Sequence, residues 1–311
     1  MLSDYVTMSE SSRRSEPPPP MDGGGPPPSP RGKNVETFMA CDAEYADAGI
    51  VLFGAPFDGT ASFRPGARFA PRAVRADSYG LETWSPYQKR DLTDFRVFDG
   101  GDLELPFGNP AKALGMIGDS VAQLLRDGKR PFMVGGEHLV TLGAVRAMVR
   151  QYPGLHILHL DAHTDLRDEY LGEKLSHATV MRRVWELVGD GRIMQFGIRS
   201  GERQEFQFAE AHVIPCGFDK FEWRDARAKL DGQPVYISLD LDILDPSVLP
   251  GTGTPEPGGV SFHELLNAVI TLDGLNIVGC DVTELSPPYD QSGISTAAAC
   301  KIIREMLLVM A

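Results

Sequence analysis

Six residues in three short segments have the types and spacing of a metal centre: His138, then Asp161, His163 and Asp165, then Asp240 and Asp242. Asp161-Ala-His163-Thr-Asp165 directly follows the apolar run 155–160. In an extended chain, side chains at i, i+2 and i+4 project to one side, so the spacing predicts that these three polar groups converge. Asp240-Leu-Asp242 follows another apolar run in the same way, and His138 stands behind Gly135-Gly136-Glu137 at the end of a third. Four aspartates gathered at one point repel one another and raise each other's pKa unless a cation neutralises them, and two divalent ions would supply the four charges. An oxygen-rich set with two imidazoles and no thiolate suits Mn²⁺ better than structural zinc. Two such ions sharing carboxylates lower the pKa of a water between them, so the expected chemistry is hydrolysis at an electrophilic carbon.

The elements that must position these groups follow from the alternation of short apolar runs with amphipathic stretches, the pattern of parallel strands joined by crossover helices. Strands are expected at 50–54, 96–98, 131–134, 155–160, 193–197, 213–215, 234–239 and 276–281. Asn109 and Pro110 read as the cap and first residue of a helix, with Ala113, Met116, Ile117, Val121, Leu124 and Leu125 at helical spacing behind them. Ser261 and Glu264 form a capping-box pattern, and a last helix is expected over about 295–310. The expected fold is α/β: a single three-layer α/β/α domain around an eight-stranded, mostly parallel sheet. All six polar residues then fall at carboxyl ends of strands, where open α/β sheets place their binding crevice.

Composition narrows the partners. The chain of 311 residues is 42% hydrophobic and 23% charged, which is enough apolar material for a sizeable core. Its formal net charge of -13 excludes a nucleic-acid or anionic-membrane surface, since phosphates attract Lys and Arg. Cys41, Cys216, Cys280 and Cys300 show no CxxC spacing, so neither a disulfide framework nor a thiolate zinc site is expected. No apolar run reaches the roughly 18 residues of a membrane span, and the N-terminus lacks a signal-peptide core, so the expected location is the cytoplasm. Residues 1–35, rich in Pro and Gly and poor in apolar residues, are expected to form a disordered tail ahead of a catalytic domain at 36–311.

With these segments in view, the sequence resembles the ureohydrolase (arginase/agmatinase) family and, within it, the agmatinases. The likeness rests on Gly135-Gly-Glu-His138, on Asp161-Ala-His-Thr-Asp165, on Ser238-Leu-Asp-Leu-Asp242 continuing through Asp245-Pro246 to Pro250-Gly-Thr-Gly-Thr254, and on Asp281-Val-Thr-Glu284. It implies an arginase-like fold and hydrolysis of a small cationic guanidino substrate, agmatine, to putrescine and urea in polyamine biosynthesis. It further implies a trimer or hexamer with two Mn²⁺ per subunit. One ion would be held by His138, Asp161, Asp165 and Asp240, and the other by His163, Asp161, Asp240 and Asp242, with Asp161 and Asp240 bridging. Glu284 would bind the guanidinium, Thr254 would line the pocket, and His177 would shuttle protons at its mouth. Asp165 would pass to the leaving amine the proton it takes from the attacking hydroxide. Many relatives have Gly after the equivalent of His177, where this chain has Ala178. His156, His159, His212 and His263 fit no cluster and are expected to be structural, and residues 251–253 are expected to make a tight turn closing the pocket.

The substrate's tail is the finer question. Arginases of this family carry Asn and Ser soon after the Asp-Ala-His-x-Asp motif to hold an α-amino acid. Here residues 166–175 contain no Asn and offer Asp168, Glu169 and Glu173, an acidic rim suited to a lone ammonium. A guanidinobutyrase is the alternative, with Arg64, Arg68 or Arg167 receiving a carboxylate tail. A catalytically silent homologue that binds partners or polyamines is a further one, and the complete ligand set argues against it.

Overall fold

The computed structural model describes residues 36–216 and 220–311, so the expected tail at 1–35 lies outside the described residues. The chain runs through β1 (Ile50–Ala55), α1 (Ala70–Ser78), a small hairpin of β2 (Trp84–Ser85) and β3 (Arg90–Asp91), then β4 (Val97–Asp102), α2 (Pro110–Arg126) and β5 (Arg130–Gly135). It continues with α3 (Val140–Gln151), β6 (His156–Leu160), α4 (Val180–Val188), β7 (Ile193–Phe196), α5 (Arg203–His212), β8 (Ile214–Cys216) and α6 (Lys220–Leu230). The last elements are β9 (Val235–Asp240), α7 (Phe262–Thr271), β10 (Ile277–Thr283) and α8 (Ile294–Met310).

Eight strands form one sheet in the order β4-β1-β5-β10-β9-β6-β7-β8, and every ladder in it is parallel. Strands such as β1 are apolar and buried at every position because helices cover both faces. Successive residues alternate between two cores. Leu52, Phe132, Val134, Leu158 and Ile237 pack with residues of α1, α7 and α8, whereas Val51, Phe53, Met133, Ile157 and Tyr236 pack with residues of α2, α3 and α4. The result is the three-layer arrangement expected from the sequence. Asn109 caps α2 by accepting from Lys112 N at 3.0 Å, and Ser261 with Glu264 closes the capping box of α7.

Element bounds differ in places, and β4 runs on to Asp102 where 96–98 was expected. β8 lies one residue later than 213–215, and β10 extends to Thr283, so Glu284 is the first residue beyond the strand. The β2–β3 hairpin was not expected, because two-residue strands carry no periodic signal. It is held by α8 instead: Ser85 Oγ donates to Glu305 Oε2 at 2.8 Å, and Arg304 Nη1 donates to the carbonyls of Glu82 and Trp84.

Candidate metal centre and active site

Four adjacent central strands, β5, β10, β9 and β6, deliver the site from their carboxyl ends. After β5 the backbone of Gly136 passes so close to Phe57 that a Cβ there would collide with the Phe57 carbonyl, which only glycine avoids. That approach lets Glu137 N donate to Phe57 O at 2.8 Å and fixes the entry of His138. Past β6 the expected extended alternation does not hold. Asp165 has φ 51°, a left-handed backbone, so Asp165 turns back toward Asp161 by a bend rather than by strand periodicity. Past β9, Leu241–Ile243 form a 3₁₀ turn in which Asp240 Oδ1 accepts from Asp242 N at 2.8 Å.

These bends bring all six sequence-selected residues together. His138 Nδ1 lies 3.1 Å from Asp161 Oδ2, 3.1 Å from Asp165 Oδ2 and 3.3 Å from Asp240 Oδ2. His163 Nδ1 lies 2.9 Å from Asp242 Oδ2 and 3.5 Å from Asp161 Oδ1. All four aspartates and His138 are buried, while His163 keeps partial exposure toward the cavity. Asp161, His163 and Asp242 have ligand atoms close enough to share one ion, and so have His138, His159 and Asp161.

A test of whether a cation fits here comes from His138. Its Nε2 is 2.9 Å from Ser238 Oγ, whose own hydrogen goes to Asp281 Oδ1 at 2.8 Å, and Tyr236 Oη donates to the other oxygen of Asp281 at 2.7 Å. Ser238 therefore accepts from His138 Nε2–H, which leaves Nδ1 turned to the carboxylates. That buried atom completes no hydrogen bond, yet it faces three carboxylate oxygens. Asp161, Asp165 and Asp240 raise His138 against its own burial, so the three carboxylates demand positive charge at Nδ1, which a metal ion held by the ring nitrogen would supply in place of a proton. The residues fit divalent cations.

His159 corrects the sequence reading, since it belongs to the centre. Its Nε2 is 2.8 Å from Asp161 Oδ2. Gln195 Nε2 donates both to Thr164 O at 2.8 Å and to His159 Nδ1 at 3.0 Å. The carbonyl can only accept, so the amide nitrogen is identified, Nδ1 of His159 is the acceptor, and the ring proton sits on Nε2, pointed at Asp161. His159 thus orients a carboxylate rather than offering a lone pair to an ion. Replacing Gln195 by Leu frees that tautomer, and the affinity for divalent metal ions measured by titration calorimetry is expected to fall by about tenfold or more. Unchanged affinity would show that the imidazole needs no such support.

The titration directions express the same crowding. Burial, reinforced by Asp161, pushes Asp165 up to about 7, and burial with Asp242 and Asp161 raises Asp240 well above the carboxylate range. Glu284 is raised by burial and by Glu137. Against its own burial, His163 is pushed up to about 12 by Asp242 and Asp161. Carboxylates and imidazoles here compete for too little positive charge.

Glu284, Thr254, His177 and Asp165 line one cavity of about 300 Å³ with His163 and Asp240. Glu284 has φ 63° and accepts from His138 N at 2.9 Å through Oε1. Thr254 Oγ1 donates to Asp242 Oδ2 at 3.2 Å, and its preceding turn is tight enough that a Cβ on Gly253 would press on Glu284 Oε2. His177 opens the 3₁₀ turn before α4. Its backbone N–H donates to Thr60 Oγ1 at 3.1 Å, and its Nε2 is 3.2 Å from Ser62 Oγ. Thr60 in turn donates to Glu137 Oε1 at 2.7 Å, which ties the His177 loop to the segment after β5 that bears His138. Burial, with His163, His138 and Arg167 nearby, pushes His177 down to about 4, so the ring is neutral at neutral pH.

Comparison with known proteins settles the family. The model of the arginase family matches residues 48–309. The chain belongs to the arginase family. It is 46% identical over 279 residues to an agmatinase of Bacillus subtilis, covering 88% of this chain and 96% of that protein. It is 33% identical over 308 residues to a guanidinobutyrase of Pseudomonas aeruginosa, covering 90% and 94%. Among solved structures, the agmatine ureohydrolase of Thermoplasma volcanium superposes with a TM-score of 0.81 at 33% identity, over 89% of this chain and 94% of that one. This arginase-family protein is a hydrolase of the agmatinase type, with a His/Asp group that could hold a metal.

The acidic rim of this arginase-family hydrolase differs from the expected one. Asp168 is paired with Arg183 at 2.7 Å, and Glu169 and Glu173 are exposed outside the cavity. Besides Asp165, Asp240 and Glu284, the carboxylates that line it are Glu202 and Glu205, with Ser62, Arg167 and Tyr170. Nothing in the sequence distinguishes Glu202 and Glu205 from an ordinary capping box, which they also form at the start of α5. Arg68 is paired with Asp58, and Arg64 stacks between Phe63 and Tyr289, so Arg167 alone of the three arginines named above lines the cavity. His156 and His212 bond to Gly154 O and Asp190, away from the site.

Proposed function

We propose that this hydrolase cleaves agmatine to putrescine and urea. The observation that carries the reading is a single cavity that joins His163, Asp165 and Asp240 of the candidate metal group to the Glu284 carboxylate, in a chain 45–46% identical to agmatinases. His138, Asp161, Asp165 and Asp240 would hold one Mn²⁺, and His163, Asp161, Asp240 and Asp242 the other. Bound there, the two ions neutralise the carboxylates and acidify water for attack on an amidine carbon.

The chain's own residues do the rest. Glu284 keeps Oε1 on the His138 amide and turns Oε2 to the planar guanidinium, whose N–H donors need an anionic acceptor. Asp165, buried and pushed toward neutrality, takes up the proton released as water attacks the guanidinium carbon. An alkylamine leaves poorly as an anion, so Asp165 returns that proton to the departing nitrogen as the carbon–nitrogen bond breaks. His177, neutral at the mouth, exchanges protons between the amine product and solvent. Thr254 holds Asp242 in place beside the pocket.

The reading includes a homo-oligomer, trimer or hexamer, in the cytoplasm, serving polyamine biosynthesis. Urea release with added Mn²⁺ from agmatine, arginine and 4-guanidinobutyrate tests it: agmatine is expected to be the preferred substrate by a wide margin. Preference for either of the others replaces the substrate while leaving the hydrolase class intact. We assign catalysis to residues 36–311. Their N-terminal neighbours have too little apolar surface to offset the entropy of ordering them. Deleting residues 1–34 is therefore expected to leave melting temperature and turnover unchanged, and a fall in either would show that the tail contributes to the core.

A further inference from the structure

Arg167 places a permanent guanidinium in the cavity that, on the agmatine reading, must receive a dication. Its Nη1 lies 3.1 Å from Glu202 Oε1 and its Nε 3.5 Å from Glu205 Oε2. Its Cζ sits 4.6 Å from the centre of the Tyr170 ring, and Tyr170 stands edge-on to His177 at 5.8 Å. The two glutamates are not equivalent. Glu205 is buried and accepts from Thr164 Oγ1, Leu166 N and Glu202 N, so its orientation is fixed by the protein. The Glu202 side chain is 57% exposed and can change partner.

We propose that the Arg167–Glu202 pair determines which tail charge the cavity accepts. With Glu202 in place, the mouth carries two carboxylates against one guanidinium. An incoming ammonium takes Glu202 from Arg167, which stays anchored on Glu205 and Tyr170. An exposed ion pair is weak enough for that exchange to cost little. A carboxylate tail meets the same surplus of negative charge and an arginine whose Nη1 and Nε already face carboxylates, so it is disfavoured. Without the Glu202 charge, the Arg167 fork faces the tail and suits a guanidino acid, since guanidinium and carboxylate match geometrically.

The inference rests on the agmatine reading, and its test separates the two. kcat/KM for agmatine and for 4-guanidinobutyrate is measured on Mn²⁺-loaded wild type, Glu202→Gln, Glu202→Asp and Arg167→Gln. Glu202→Gln is expected to lower the agmatine-to-guanidinobutyrate ratio by roughly tenfold, mainly through KM, and Glu202→Asp to restore most of it. Arg167→Gln is expected to move the ratio the opposite way. If both substrates change by one common factor in each variant, the pair is only a brace for the loop and the proposal is overturned. If wild type favours 4-guanidinobutyrate, the agmatine reading fails, while opposed shifts in the two variants would still uphold the role of the pair.

Discussion

Replacing Asp240 by Asn is expected to abolish nearly all activity and to strip the protein of metal. Asp240 lies where the two groups of candidate ligands meet: its Oδ2 faces His138 Nδ1 at 3.3 Å, and its Oδ1 holds Asp242 through a backbone hydrogen bond at 2.8 Å. Asparagine keeps the volume but removes one negative charge, and it can turn an N–H toward a site built from acceptors. As the proposed bridge, Asp240 serves both ions, so metal content measured by plasma mass spectrometry is expected to fall by more than half. Urea release should drop by about three orders of magnitude or more, since water at neutral pH is a poor nucleophile without a cation to acidify it. A variant with full metal content and full rate would end the dinuclear assignment.

Replacing Glu284 by Gln should give the opposite signature, lost turnover with metal retained. Gln still offers an oxygen to the His138 amide, so the local structure keeps its hydrogen bond. What disappears is the charge that the guanidinium needs, and charge-assisted hydrogen bonds weakened in this way cost about 1–3 kcal/mol, or roughly 5- to 150-fold in kcat/KM. The fold itself should not suffer. Burial and Glu137 raise Glu284 above its ordinary pKa, so its negative charge is not what holds the surrounding structure together. Melting temperature and metal content are expected to hold while agmatine hydrolysis falls. Normal turnover would show that the guanidinium is received elsewhere.

Much of the architecture was legible because strands buried on both faces leave continuous apolar runs, and because a polar residue directly after such a run stands out. The same reasoning found His138, Asp161, His163, Asp165, Asp240 and Asp242 as one group. It assigned the wrong local cause to Asp165, since a left-handed residue and an extended one give the same spacing in sequence. His159 was missed for a different reason. It sits inside the apolar run of β6, and its partner Gln195 lies on β7 at the register position opposite it, a neighbour that exists only once the sheet has formed. The acidic rim failed because Arg183 of α4 returns to neutralise Asp168, whereas Glu202 and Glu205 look locally like a helix start. Charge in a loop can be counted from sequence, but its partner cannot.

The position of β10 bears on how the protein is made. It is the last strand in the chain and enters the middle of the sheet, between β5 and β9. Before it arrives, β4-β1-β5 and β9-β6-β7-β8 are separate half-sheets, each with a long unpaired apolar edge. His138 then stands on one half, and the four aspartates with His163 stand on the other. Such edges invite pairing between chains, and a closure this distant in sequence is slow. A chain interrupted before residue 277 would carry all six candidate ligands and still have no means of bringing them together, so the centre becomes competent only as synthesis finishes.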